Sequence, residues 1–402
     1  MTLHVLGGGS IGLLYASSMR LAKSKLPVCL LLKSRHDNKV NFYNNNHALD
    51  TDISCSGLSA AQSEGKEVKK IVFVELEDIN GSKHFQDIPC EIIDNSNDSE
   101  QQGIENILLT TKAPDAVKAI ESVYKRFNSQ VNLVVMTNGS LGVVDEIKRS
   151  LKENGMEGKV NIIFASSTHG AMRGNDMKFE GSRHGDALAF KVVHTGQGQT
   201  FLEDNNNSNH SDFSIQIALK NAWEAAGLNV STMSSEQMYI MNWKKLAANC
   251  AINPLTALRN CTNGNLLSSR IERPRYEDTI GNIAIDYQHP LFLYKIIREV
   301  SDVALAEMKA NKCMSDETRK SLSYTALADF VENVIRQTSK NKSSMLQDVI
   351  ANRYPTEIMY LNGYVSKIGR EVHGLDVQTN DSVTKMVENL TNPKLRKNSE
   401  EL

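Results

Sequence analysis

The run Gly7-Gly-Gly-Ser-Ile-Gly12, directly after the apolar stretch Leu3-His-Val-Leu6, constrains this chain more than any other feature. Gly7, Gly9 and Gly12 match a GxGxxG turn, with Gly8, Ser10 and Ile11 between them. The first glycine permits the tight bend, the second lets a pyrophosphate approach the backbone, and the third allows close helix–strand packing. The helix that follows directs its free N–H groups at the phosphates. Ile11, Leu14, Tyr15, Met19 and Leu21 recur at roughly helical spacing behind the turn. A strand before and a helix after are the context that gives a short glycine motif its meaning.

The same alternation continues. Val28–Leu32, Ile71–Leu76, Ile107–Thr111, Leu133–Thr137 and Val160–Ala165 read as strands, with helical segments at Asp115–Phe127 and Val143–Glu153. Strands alternating with helices predict a parallel sheet covered on both faces. Ala187–Thr195 alternates like a half-exposed strand that closes the sheet. Asp94–Gly103 and Leu202–Ser211 contain almost nothing that could pack, and the regions near 77–103 and 196–213 that hold them read as surface insertions. After about Thr232 the strand signals stop. Glu236–Cys250, Leu255–Leu267, Pro290–Asn311, Glu317–Gln337 and Thr356–His373 read as helices, the last ending at Gly374. The expected organisation is a dinucleotide-binding α/β domain over 1–232, an all-α domain over 233–391, and a charged tail over 392–402.

Composition narrows the function. Lys+Arg 45 against Asp+Glu 47 gives a net charge of −2, without the basic excess of nucleic-acid binding. No apolar run reaches the ~18 residues of a membrane span. Six cysteines without a CxxC pair provide neither a disulfide nor a zinc framework, so no metal is expected. The glycine turn leaves no room for a presequence, which favours the cytoplasm and leaves mitochondria open.

An NAD site would carry Asp or Glu at the end of the second strand to hold the ribose 2′-hydroxyl. Here the residues are Lys33-Ser34-Arg35, two cations and a hydroxyl suited to a 2′-phosphate, so NADPH/NADP is expected. Lys112 and Asn138 end two strands at the carboxyl edge where ligands of open sheets bind. They equally fit a helix-leading lysine and an Asn-Gly turn. In Trp243–Ala257, Lys245, Asn249 and Asn253 are spaced i, i+4, i+8 and share one helical stripe, unusual for simple core or simple surface. Asn253-Pro254 also reads as the N-cap and first residue of a new helix. Ser344 with Gln347 reads as a capping box, and Glu357 as a carboxylate favoured at a helix start.

These blocks together resemble the ketopantoate reductase (2-dehydropantoate 2-reductase) family. The likeness runs through Gly7–Ala16, Thr111-Lys-Ala113, Asn138-Gly139, Lys245–Ala257, Asn263-Gly264, Ser343-Ser-Met-Leu-Gln-Asp348 and Thr356-Glu-Ile358. It implies an α/β N-terminal Rossmann domain and an all-α C-terminal domain similar to that of 6-phosphogluconate dehydrogenase. It also implies NADPH-dependent reduction of 2-dehydropantoate to (R)-pantoate, on the way to pantothenate and coenzyme A. By this resemblance Lys245 is the general acid, and Glu357 the carboxylate that binds substrate and helps hold it. Ser344 binds the substrate carboxylate, Asn249, Asn253 and Asn263 are substrate-binding amides, Lys112 and Asn138 lie at the nicotinamide end, and Lys33 and Arg35 hold the 2′-phosphate. The turn after Asn138 is one residue longer than the family's, and Pro355 is an extra residue before Thr356. The expected partner is a small-molecule 2-oxo acid, with no nucleic acid and no membrane; a homodimer stays open. Two other readings remain: a relative reducing another 2-oxo acid or carbonyl, and a non-catalytic NADP(H)-binding regulator.

Overall fold

The computed structural model describes residues 1–33, 70–93, 103–127, 130–174, 177–178, 188–204, 212–267, 272–280, 286–312 and 314–391. Arg35, and most of the insertion cores around 94–102 and 205–211, lie outside the described residues.

The chain begins with strand β1 (Leu3–Leu6), helix α1 (Ser10–Leu21) and strand β2 (Val28–Lys33). All four β1 residues are buried, as a strand covered on both faces requires. There follow β3 (Lys70–Glu77), β4 (Lys83–Ile93), β5 (Asn106–Leu109), α2 (Ala113–Glu121), β6 (Val131–Val135), α3 (Ser140–Glu153) and β7 (Val160–Ser167). The α/β half closes with β8 (Gly170–Arg173), β9 (Met177–Lys178), β10 (Leu188–Gly196), β11 (Thr200–Glu203), α4 (Asp212–Ala225) and β12 (Val230–Met233).

The strands form one sheet in the order β12-β11-β7-β6-β5-β1-β2-β4-β3-β10-β8, with β9 paired to β10. From β7 through β6, β5 and β1 to β2 every neighbour is parallel. Only Thr168 and His169 separate β7 from β8, yet the two stand far apart in this order. The sheet therefore curls back on itself, and α1 packs inside the curl against β2, β4, β8 and β10. Leu13, Leu14, Tyr15 and Trp223 are fully buried there.

Several expectations from the sequence change. Residues 83–93 are not part of a surface insertion: β4 lies between β2 and β3, antiparallel to β3. Ile88 and Cys90 are buried with Pro89 between them and Asp87 and Glu91 on either side, and the proline and the polar neighbours hid the strand. Likewise Thr200–Glu203, inside the second supposed insertion, forms β11. β10 is the penultimate strand on its side rather than a closing edge.

The second half is helical: α5 (Ser235–Arg259), α6 (Leu291–Ala310), α7 (Asp316–Ser321), α8 (Tyr324–Gln337), α9 (Ser344–Ile350), α10 (Asn362–Lys367) and α11 (Gln378–Thr391). α5 is the hub, packed against α6, α8, α9 and α11. It starts with a capping box, Ser234 accepting from Gln237 N–H while the Gln237 side chain accepts from Ser234 N–H. Two helices were expected around Asn253-Pro254; one helix runs straight through Pro254. Proline has no N–H for the carbonyl four residues back. That carbonyl, on Cys250, instead accepts from Asn362 Nδ2 at 3.0 Å. The expected helix Glu317–Gln337 is split by Ser323, which caps α8. The stretch Thr356–His373 breaks into a 3₁₀ turn at Ile358–Tyr360, α10 and a π-helical turn at Ile368–Val372, before Gly374 at φ +63°. None of the helices among the described residues is long and apolar enough to cross a membrane.

Candidate active site

Two glycines fix the first turn. Gly7 has φ +125°, a conformation L side chains avoid. A Cβ on Gly12 would lie 2.2 Å from the Gly7 carbonyl oxygen and 2.5 Å from Thr110 Oγ1. Gly9 is the N-cap of α1, and no side chain caps it. The first bond of the helix is Leu13 N–H to Gly9 O at 3.0 Å, so the N–H groups of Ser10, Ile11 and Gly12 precede the ladder. No acidic residue stands in this first turn. Donors without a competing carboxylate suit the phosphates of a dinucleotide. Lys33 closes β2 beside this turn and is exposed.

Opposite the sheet's carboxyl edge, one face of α5 borders a cleft. Asn242, Lys245 and Asn249 line it from the helix; Thr137, Ser140 and Ser166 line it from the α/β half. The Lys245 ammonium donates to Ser166 Oγ at 3.1 Å and to the Ser167 carbonyl at 3.3 Å. The residue keeps partial exposure through the cleft, yet protein crowds around it. Burial lowers its pKa from 10.5 to about 8, and the charge of Glu357 opposes that shift. Asn249 Nδ2 and Asn242 Nδ2 are buried and have no hydrogen-bond partner among the described residues. These side chains gather donors at a single place.

Glu357, buried, stands at the head of the 3₁₀ turn Ile358–Tyr360. Burial raises its pKa; Asn138, the charge of Lys112 and the Ala113 N–H pull the other way. Asn138 Nδ2 donates to Glu357 Oε2 at 3.1 Å. Gly139 allows this contact. It sits at φ +64°, and a Cβ there would come 2.7 Å from the Tyr360 carbonyl oxygen. Gly139 is also the N-cap of α3, which opens directly against the helical half. There Tyr360 donates to Glu146 Oε2 at 2.8 Å and Tyr364 to Asp145 Oδ2 at 3.2 Å.

Lys112, the N-cap of α2, donates to both carboxylate oxygens of Asp348 at 2.6 Å. Asp348 also accepts from Arg353 Nε at 3.0 Å. The capping reading of Ser344 is corrected. Ser343 caps α9, its Oγ accepting from Leu346 N–H at 3.1 Å, while the Gln347 side chain donates to the Lys342 carbonyl. Ser344 is thereby released from a structural duty, and its Oγ lies 3.4 Å from Asn253 Nδ2. Asn263 stands apart. It donates to Thr338 Oγ1 at 2.9 Å, and among the described residues no hydrogen bond joins it to Lys245 or Ser344.

Sequence reasoning overlooked Asn242, Ser166 and Asp348. Asn242 was visible as the i−3 member of the Lys245 stripe. Ser166 directly follows a recognised strand, so the rule that singled out Lys112 and Asn138 applied to it as well. Nothing in the spacing around Asp348 pointed to its partner.

The chain matches two family models. "Ketopantoate reductase PanE/ApbA" covers residues 3–207, and "Ketopantoate reductase PanE/ApbA C terminal" covers 238–284 and 276–391. A 2-dehydropantoate 2-reductase of Vibrio cholerae is 32% identical over 284 residues, covering 71% of this chain and 77% of that protein. Among solved structures, the probable 2-dehydropantoate 2-reductase of Bacillus subtilis superposes with TM-score 0.61 at 21% identity, over 97% of this chain and 100% of that one. A D-mandelate dehydrogenase in complex with NADH and anilino(oxo)acetate gives 0.62 at 16% identity, over 97% and 98%.

Proposed function

The chain belongs to the ketopantoate reductase family, and from that premise we propose that it reduces 2-dehydropantoate to (R)-pantoate with NADPH, Lys245 being the general acid. The observation that carries this reading is the Lys245 ammonium, its pKa lowered to about 8, in a cleft beside Asn249 and within the field of Glu357. The step would serve pantothenate and coenzyme A synthesis.

The glycine turn and the N-terminus of α1 suit the dinucleotide, with residues 1–232 as its domain and 233–391 as the substrate domain. When bound, the reduced nicotinamide supplies the hydride. Negative charge then grows on the ketone oxygen, and a positioned cation that also gives up a proton lowers that barrier. Lys245 holds its proton at neutral pH because its pKa lies above 7, yet releases it more readily than an ordinary lysine. Ser166 and the Ser167 carbonyl fix the direction of the ammonium. Glu357 keeps the lysine charged and can accept from the substrate's hydroxyl; Asn138 steadies that carboxylate. Ser344 and Asn253 offer a hydroxyl and an amide to the substrate carboxylate, and Asn249 an N–H to the reacting oxygen. Asn263, bonded to Thr338 and to the Asn341 carbonyl, we assign to the support of the loop that precedes α9 rather than to the reacting centre.

The test is NADPH oxidation by the purified protein with 2-dehydropantoate, beside pyruvate and phenylglyoxylate and with NADH as control. A kcat/KM for 2-dehydropantoate well above the other acids supports the reading. Faster turnover of another 2-oxo acid reassigns the substrate and keeps Lys245. Cofactor binding without turnover of any acid turns the reading to a regulatory protein.

A further inference from the structure

Arg173 closes the short strand β8 and reaches the glycine turn across 165 positions of chain. Its Nη1 donates to the Gly8 carbonyl at 2.5 Å, and its guanidinium carbon lies 4.6 Å from the centre of the Phe190 ring on β10. A Cβ built on Gly8 would meet Leu32 Cδ2 at 3.0 Å and Arg173 Nη1 at 3.9 Å. The guanidinium therefore stands beside the end of β2, where Lys33 follows Leu32. It keeps partial exposure at this place.

This is the end of a dinucleotide site at which the adenosine ribose is read, and where an arginine accommodates a 2′-phosphate. A planar fork of N–H donors, steadied in part by the Gly8 carbonyl and the Phe190 ring, has the geometry that matches a phosphate. The free N–H groups of α1 serve the pyrophosphate that both nicotinamide cofactors carry. Lys33, exposed at a strand end, is a mobile point charge and specifies no geometry. We propose that Arg173 is a cofactor-specificity residue: together with Lys33 it binds the ribose 2′-phosphate that distinguishes NADPH from NADH. The curl of the sheet delivers it, because β8 leaves β7 and crosses to β10 over α1. The proposal rests on the dinucleotide reading of the preceding subsection.

The test is equilibrium binding followed by nicotinamide fluorescence, without substrate, for the wild type, Arg173→Gln and Arg173→Lys. Glutamine keeps a donor for the Gly8 carbonyl and removes the charge; lysine keeps the charge and removes the fork. The expected result is NADPH binding weaker by about tenfold or more in Arg173→Gln, with NADH binding nearly unchanged. Arg173→Lys should fall between, and the wild-type preference for NADPH should shrink as salt rises. Equal weakening of both cofactors would show a prop for the turn or a pyrophosphate contact and overturn the proposal, as would no change in either. A wild type that binds neither cofactor overturns the dinucleotide reading itself, which is seen before any variant is compared.

Discussion

The Lys112 ammonium donates to both oxygens of Asp348 at 2.6 Å, joining the N-terminus of α2 in the α/β half to α9 in the helical half. The aspartate side chain is 7% exposed and the lysine 45%, so the pair sits at the rim of the contact between the halves. Solvent screening at the lysine limits what the attraction contributes. The buried carboxylate still needs a cation, and Arg353 supplies a second one. Lys112→Ala and Asp348→Asn should therefore be non-additive in chemical denaturation, with a coupling of roughly 0.5–3 kcal/mol. Strict additivity would mean that the pair is incidental.

Lys245→Ala should lower kcat by ~10²–10⁴ while NADPH still binds, because it removes the acid and leaves the glycine turn untouched. In the wild type, turnover in the direction of reduction should fall as pH rises through about 8, since only the protonated amine donates. A flat profile up to pH 10 together with a near-normal Lys245→Ala enzyme would exclude the lysine.

Glu357→Gln separates charge from shape. The carboxylate raises the Lys245 pKa against the lowering by burial. Its neutral amide should move the basic limb of the pH profile to lower pH, beyond any loss of kcat. A limb that stays in place would show that the two groups do not communicate.

The adjacent serines should part company. Ser343 caps α9, so Ser343→Ala should cost about 1 kcal/mol of stability and leave KM for the 2-oxo acid alone. Ser344→Ala should raise that KM without moving the melting temperature. The opposite pattern would restore the capping reading of Ser344.

Asn362 is fully buried and serves the Cys250 carbonyl that Pro254 leaves without a partner. It also donates to Asn380 Oδ1 at 2.9 Å. Asn362→Leu should destabilise by about 1–3 kcal/mol. Adding Pro254→Ala in that background should recover part of the loss, because alanine returns the N–H that the carbonyl lacks. No recovery would mean that the Asn380 contact accounts for the effect.

The local order of the chain set a good deal. The strand, glycine turn and helix of residues 3–21 could be read directly, since Gly7 and Gly12 meet steric limits within one turn of backbone. The stripe of Lys245, Asn249 and Asn253 was equally legible, because positions four apart on a helix share a face whatever surrounds it. What lies opposite that stripe was not written in any spacing. Lys245 meets Ser166 across 79 positions, Asn138 meets Glu357 across 219, and Lys112 meets Asp348 across 236. The unbroken course of α5 through Pro254 was decided by Asn362, over a hundred positions away. The place of β4 inside the sheet was decided by its neighbours β2 and β3, and the arrival of Arg173 at Gly8 by the curl of the sheet about α1. Periodicity and backbone sterics act over a few residues and fix elements and their faces. Hydrogen bonds and burial across the fold act between whatever the topology brings together, and they turned those faces into a site.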